Sequence, residues 1–552
     1  MIGLNKIGLN QVQLNRLRLN APFPAYGKMA GGGGSGDGFP VLPGDVTRWH
    51  FGGLTNEMMA AMDDPRIEDA DGKGRFLSFK NFAWGGMSGV GGYGDENHLT
   101  FYKFTFDDYV FIAIKAGVKH MNFTFRVTGL QPGNKLTLAF FGTTNTVYGT
   151  WDKDGIYTVN SAVVEVGKPV YFYNGYGSTR GEFTIEILPL YPGALVFDGV
   201  DDYGTCNNFP ILTKEKGYTV VALRQWISMG EGLYGLVSNT KNWFNDGAFI
   251  LEYGSNNATN KFVNRPVSFG KVNIEMDLPN NFTYQTSKSY KGIPITTGSF
   301  KGTNSLFVGR LNNIIGNCSN AAIWELVFLD HDATEEELAK IKDYFVKTYP
   351  WLFPAQAWTV TGKTNEDEDR ATIANITGNG NNLVLSNSGF AEGSGYNEEG
   401  EYAGYLVTDG VDDKITSSDF KMGKDFTIVG DWKFIIDENK DCGLVKVPKL
   451  YIYNSKTGLD IYINSNSIKN ILSGIKGLNA VCSDGRVYDC NWNEISVKYG
   501  NMVDINSSFL IANSGNIFTK MAFKNLGIYN NQLLSKDDCI KAYNYLQTLK
   551  AK

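Results

Sequence analysis

Cysteine, histidine and clustered positive charge are all scarce in this chain of 552 residues, and each scarcity excludes something. The six cysteines, Cys206, Cys318, Cys442, Cys482, Cys490 and Cys539, fall at irregular distances with no C-x-x-C pair. That spacing fits neither a zinc ligand set nor a dense disulfide framework, and it points to reduced thiols in a chain folded in a cytoplasm. His50, His98, His120 and His331 show no metal-ligand spacing. The formal charge is −6 and no basic run occurs. Free nucleic acid is therefore not an expected partner, because phosphate binding needs clustered Lys and Arg. No apolar run is long enough to cross a bilayer, and the N-terminus lacks the uninterrupted apolar stretch of a secretion signal. A Gly-x-Ser-x-Gly elbow and a phosphate-cradling glycine loop are both missing. No cofactor and no resident metal are expected.

Glycine and aromatic residues are plentiful: 64 Gly and 13% Phe, Trp and Tyr, against 20% charged residues. Aromatic side chains pack on pleated faces and glycine supplies the positive φ of tight turns, so this balance suits β-sandwiches. The length predicts three or four domains.

The chain also repeats itself. Gly53-Leu54-Thr55-Asn56-Glu57 returns as Gly362-Lys363-Thr364-Asn365-Glu366, and Val196-Phe197-Asp198-Gly199-Val200-Asp201-Asp202 returns as Val407-Thr408-Asp409-Gly410-Val411-Asp412-Asp413. The first copy carries an insertion between its two landmarks. Along the chain the division is as follows. Residues 1–20 are a five-residue repeat (Leu4-Asn5, Leu9-Asn10, Leu14-Asn15, Leu19-Asn20) that buries little alone and reads as a docking peg. Residues 21–44 form a Gly/Pro-rich linker. Turn-rich segments occupy 45–98 and 355–402. An inserted β-sandwich is predicted over 99–191, where Phe123-x-Phe125-x-Val127 and Leu136-x-Leu138-x-Phe140 alternate with polar residues. Repeated sandwiches are predicted over 192–354 and 403–552. Each ends in a helix, one opened by the Thr334…Glu337 capping box and the other by Ser535.

The opening strand of the form apolar-x-Asp-Gly-x-Asp-Asp, answered by a closing strand and a capped helix, resembles the concanavalin-A-like, laminin-G-type jelly roll. The likeness covers roughly 192–354 and 403–552. The expected fold is thus mainly β and multidomain: two laminin-G-like sandwiches, an inserted smaller β-sandwich and a short N-terminal repeat. The Gly-Lys-Thr-Asn-Glu segment is similar to modules in structural proteins of crAss-like tailed phages of gut bacteria.

Candidate chemistry is thin. Some jelly-roll glycosidases carry Glu-x-Asp-x-x-Glu on one strand; the nearest match here, Glu275-Met276-Asp277-Leu278-Pro279-Asn280, has Asn280 where the second acid belongs. The acidic run Glu366-Asp367-Glu368-Asp369 lacks the glycine-punctuated spacing of a calcium loop. Asp198, Asp201 and Asp202, with Asp409, Asp412 and Asp413, are either calcium ligands or turn caps. Tyr173, Tyr176, Trp243, Tyr451 and Tyr453 are candidates for stacking on sugar rings, or else core. The expectation is a bacteriophage virion protein, a fibre or decoration component, and not an enzyme. It is made in the host cytoplasm without a signal peptide and anchored to other virion proteins by residues 1–20. It is a homo-oligomer, such as a trimer, and displays lectin-like domains to host or mucin glycans, without membrane insertion. A secreted polysaccharide-binding or -degrading protein and a purely architectural virion protein are the alternatives.

Overall fold

The computed structural model describes residues 38–54, 56–82, 118–141, 145–165, 183–228, 302–312, 318–435, 477–496 and 520–551, with shorter stretches between them. The repeat at 1–20 and the linker up to residue 37 lie outside the described residues. The protein is mainly β and multidomain, built from antiparallel sheets.

The first large sandwich has nine principal elements: β1 (Val46–His50), β2 (Phe76–Lys80), β3 (Leu195–Asp198), β4 (Tyr203–Cys206), β5 (Thr219–Ser228), β6 (Phe282–Thr286), β7 (Leu306–Val308), β8 (Asn320–Leu329) and α1 (Glu335–Thr348). In the second they recur as β9 (Gln356–Thr359), β10 (Leu383–Ser386), β11 (Tyr405–Val407), β12 (Lys414–Ser417), β13 (Phe426–Phe434), β14 (Gly477–Cys482), β15 (Leu510–Ile511), β16 (Met521–Asn530) and α2 (Lys536–Gln547). Strand β8 pairs with β1, β3 and β5, and β5 continues to β6. Strand β16 pairs with β9, β11 and β13, and β13 continues to β14. In the opposing sheets β4 joins β2 and β7, as β12 joins β10 and β15. Each turn-rich segment therefore supplies strands to both sheets of the sandwich that follows it. Register fixes the equivalence: Trp49 lies opposite Leu326, and Trp358 opposite Leu526.

Between β2 and β3 the inserted unit forms two further sheets, one holding Val118–Thr128, Gly155–Glu165 and Phe183–Leu188, the other Leu136–Phe141 and Val170–Asn174. Its alternation is that of a half-buried strand. Phe125 and Val127 enter the core with Leu138, Phe172 and Ile185, while Arg126 between them turns outward to Glu186 at 2.6 Å.

The central strands of the large sandwiches are covered on both faces. Val220, Ala222, Ile323, Leu326 and Phe328 fill the first sandwich, while Val221, Leu223, Ala322 and Trp324 face away from it. That second face meets Ile341, Tyr344 and Phe345 of α1, then Ile540, Tyr545 and Leu546 of α2, then Val429, Ala480 and Tyr529 on the outer face of the second sandwich. Polar contacts stitch the same layer: Gln225 donates to Thr548 at 2.8 Å, and the Tyr529 hydroxyl donates to the Trp351 carbonyl at 2.8 Å. The inserted unit joins through Ile156, and through Asn544, which donates to the Pro189 carbonyl at 3.0 Å.

Helix α1 begins where its sequence says it should, with Thr334 accepting from the Glu337 N–H and Glu337 accepting from the Thr334 N–H. Because α2 is shared between bodies, Leu546→Ala is expected to cost about 2–5 kcal/mol and to lower the unfolding of both sandwiches together. Calorimetry combined with urea titration checks this. The exposed Val200→Ala control is expected to stay within about 0.5 kcal/mol.

Candidate functional site: the groove between the sandwiches

The repeated aspartates close turns. The Asp198 carboxylate accepts from the backbone N–H of Val200 at 2.8 Å and of Asp201 at 3.3 Å, and Asp202 accepts from the Asp198 N–H at 3.3 Å. Asp409 and Asp413 repeat this with Val411 at 2.7 Å, Asp412 at 3.3 Å and the Asp409 N–H at 2.8 Å. Gly199 and Gly410 take φ of 78° and 76°, which the turn requires and a side chain would strain. An asparagine from the preceding segment locks each turn: Asn81 donates to the Asp201 carbonyl at 2.9 Å and Asn387 to the Asp412 carbonyl at 3.1 Å. The carboxylates of each triplet do lie within 4.8 Å of one another, but an oxygen of Asp198, Asp202, Asp409 and Asp413 already accepts from a backbone donor. Burial, then the charges of Asp409 and Asp412, holds the Asp413 carboxyl above its usual value despite those donors.

The other sequence candidates separate. In the acidic run, Asp367 accepts from the backbone and hydroxyl of Thr364, both at 3.0 Å, and Asp369 pairs with Lys363 at 2.5 Å, so the run is a capped turn. His50 lies 3.1 Å from Glu325, and His331 lies 3.2 Å from Glu337; the two serve different networks. His120 sits in a strand of the inserted unit. Residues 274–280, and with them Glu275, Asp277 and Asn280, lie outside the described residues, as do His98, Tyr176 and Trp243. Tyr173 is half-buried in Val170–Asn174, and Tyr451 and Tyr453 belong to the strand Leu450–Ser455.

Sequence reasoning missed two buried charge clusters. Arg224 and Glu252 are both fully buried, and Glu252 accepts from Arg224 at 2.5 and 2.7 Å, Trp226 at 2.9 Å, Thr283 at 2.7 Å and Tyr290 at 2.8 Å. Burial alone would raise the Glu252 carboxyl; Arg224 and the hydrogen bonds more than reverse it and hold it below the usual carboxylate value. Arg48 donates to Glu325 at 2.8 Å beneath α1, where Tyr349 donates to the same carboxylate at 3.0 Å. Both clusters pair opposite charges inside the fold and read as scaffold. Ionisable residues of opposite sign, far apart in sequence, gave no motif by which to find them.

Sequence reasoning also missed the groove, whose walls come from both sandwiches. Helix α1 presents Glu335, Leu338, Lys342 and Val346, which share a helical face by their spacing. Strand β6 presents Phe282 and Tyr284, their ring centroids 5.8 Å apart. Phe353 of the connecting segment and Thr377 and Asn379 of the second sandwich complete the rim. Asn281 fixes the floor, its amide donating to the Leu352 carbonyl at 2.7 Å and to the Tyr545 hydroxyl at 2.9 Å. The space is about 710 Å³, within the usual range of a ligand site, and its position between domains is a common one for such sites. Burial, then the nearby Glu335 charge, raises the Tyr284 phenol above its ordinary value, so it remains a hydrogen-bond donor at neutral pH. Among the described lining residues Glu335 is the one carboxylate. The arrangement can hold and orient a ligand, and among the described lining residues Glu335 has no second carboxylate to form the pair that glycoside hydrolysis uses.

The chain matches no family model and no curated protein. Similar solved structures include the botulinum neurotoxin serotype D binding domain, 12% identical over 62% of this chain and 88% of that one, with a TM-score of 0.23. Trypanosoma rangeli sialidase is 11% identical over 79% and 71%, with a TM-score of 0.24. A truncated alginate lyase with a CBM32 domain is 9% identical over 61% and 92%, with a TM-score of 0.19. At such scores these likenesses carry no argument about what this chain binds or does.

Two outcomes follow from the electrostatics. Glu252→Gln leaves Arg224 without its counter-charge, and about 3–5 kcal/mol of stability is expected to go with it, read from urea unfolding. The carboxyls of Asp45, Asp332 and Glu337 also lie below their usual values; burial opposes this, but Arg75 and Lys73, Lys288 and Ser287, and Thr334 respectively outweigh it. A depressed folded pKa stabilises above the unfolded value, near pH 4 for carboxylates, and that stability is lost as pH falls through the folded value. The urea midpoint is therefore expected to drop steadily from about pH 5 to about pH 3.

Proposed function

We propose that this protein is a non-catalytic display protein of a virus particle. In this reading residues 1–20 attach it and the double sandwich carries a glycan-binding groove for adhesion to a host surface or mucus. The groove is the observation that carries the reading. It combines aromatic faces (Phe282, Tyr284, Phe353) with a few polar groups in a space of about 710 Å³, the composition that sugar rings call for: apolar faces against rings and hydroxyls against polar side chains. Glu335 as the one carboxylate among the described lining residues and Asn280 in place of an acid both favour binding over hydrolysis. The particle assignment rests on the peg-like repeat, the linker and the resemblance of the Gly-Lys-Thr-Asn-Glu segment to phage modules.

Several chains on one particle turn weak sugar contacts into firm retention through effective concentration. Whole particles are expected to be held on host polysaccharide or mucin and released by deletion of residues 1–20, which removes the protein from the particle. Incubation with the same polysaccharides is expected to release no reducing ends. Mass spectrometry of purified particles decides the first part of the reading, since absence from them removes it. If particles that carry the protein show no retention, the sandwiches are architectural.

A further inference from the structure

Two thiols meet on the face of the second sandwich that α2 covers. Thr427 of β13 stands in register between Cys482 of β14 and Tyr529 of β16, so the three side chains project from one face of the sheet. Cys482 and Tyr529 are buried in the layer on that face, and Cys539 of α2 is buried in the same layer. The Thr427 hydroxyl ties down the entry to the helix. Its oxygen accepts from the Leu534 N–H at 3.0 Å, and it donates to the Gln532 carbonyl at 3.0 Å. The same oxygen lies 3.8 Å from the Cys482 sulfur. Ser535 caps the helix, and its carbonyl accepts from the Cys539 N–H at 2.8 Å one turn later. Cys539 is thereby set over the end of β14, and its thiol donates to the Cys482 sulfur. That hydrogen bond, with help from Arg486, outweighs burial and holds the Cys482 thiol below its ordinary value; the same bond, then burial, raises Cys539. The Cys206 thiol, by contrast, donates to Asn208 at 3.2 Å.

We propose that Cys482 and Cys539 form a modification site, oxidised by hydrogen peroxide to a disulfide that fastens α2 to the second sandwich. The thiolate is the nucleophile in such chemistry, and the thiol that ionises more readily attacks first. The Cys482 thiolate takes one peroxide oxygen and becomes a sulfenic acid, while the other oxygen leaves as hydroxide and gathers the Cys482 proton as water. The Cys539 sulfur then attacks the Cys482 sulfur. The S–S bond forms, the S–O bond breaks, and the second water carries off the Cys539 proton. Two electrons pass from the sulfurs to the peroxide. Both sulfurs are buried, but Cys482 ends its strand, Asp484 of the next turn is exposed, and Ser535 is exposed at the cap of α2. Opening of the first helical turn, a low-energy local event, is enough to admit so small an oxidant. The new bond encloses β16 in a covalent loop and so restricts the unfolded chain. In a reducing compartment the pair stays a dithiol. The site makes no use of the groove and goes beyond the adhesion reading.

The test treats the folded full chain with hydrogen peroxide, blocks remaining thiols by alkylation under acid quench, and maps the peptides by mass spectrometry. A peptide pair joined through Cys482 and Cys539, lighter by two hydrogens than the separate peptides, is the expected product. The melting temperature is expected to rise by about 5–10 °C and to fall back when a phosphine reductant cuts the bond. Cys539→Ala removes the resolving sulfur, so a dimedone probe is expected to trap a sulfenic acid at Cys482. Cys482→Ala is expected to leave Cys539 labelled several-fold less. Full alkylation of both thiols after peroxide, or a link that joins either of them to another cysteine, overturns the site. A Cys482–Cys539 link with an unchanged melting temperature overturns its role as a fastener, and stronger labelling of Cys539 than of Cys482 overturns the order of attack. The mapping uses the unsubstituted chain, so it decides the matter even where a variant does not fold.

Discussion

The structure depends on a single apolar layer that belongs to neither sandwich alone. A sheet buried on one face can close a domain by itself. A sheet whose second face is also apolar must find a partner, because exposed apolar area of that extent is costly in water. Strands β5 and β8 and strands β13 and β16 are buried on both sides, and α1 and α2 lie between the faces they turn outward. The two copies are thereby fused into one body, with the inserted unit leaning on α2 through Ile156 and the Pro189 carbonyl. The groove is a consequence: where α1 and β6 meet the start of the second sandwich, the layer thins and leaves a cleft.

Duplication preserved the frame and changed what fills it. All six principal strand pairings recur, and so do the asparagine-locked aspartate turns. Yet Arg48, His50 and Glu325 of the first copy correspond in register to Ala357, Thr359 and Asn525 of the second. The first copy builds an ion network under α1. The second places Asp431 beneath α2, where it accepts from Tyr405 at 2.9 Å and Gln547 at 3.1 Å, with Asn525 accepting from the Asp431 N–H. Polar groups buried under a helix must be satisfied, but more than one set of partners does so.

What could be read in advance followed the local rules. Alternation marked the inserted unit, the Thr334…Glu337 pair marked α1, and the Asp-Gly-Val-Asp-Asp repeat marked equivalent turns; each signal is contained within a few residues. The shared layer was not legible, because a run such as Ala321 to Leu329, broken by Glu325 alone, states that both faces are apolar without stating what covers them. Nor was the groove, since Lys291, Lys342 and Phe353 are brought together by the packing of bodies and share no spacing. The strand contribution of the turn-rich segments was hidden for a related reason: β1 and β2 are short, and the sandwich strands they join, β8 and β4, lie well over a hundred residues away.

The most direct measurement is a crystal structure of the full chain soaked with a mucin-type oligosaccharide. The account predicts sugar density in the cleft between α1 and the second sandwich, with rings against Phe282 and Tyr284. Density instead at the Asp198–Asp202 or Asp409–Asp413 turns, with the cleft left to solvent, would contradict it.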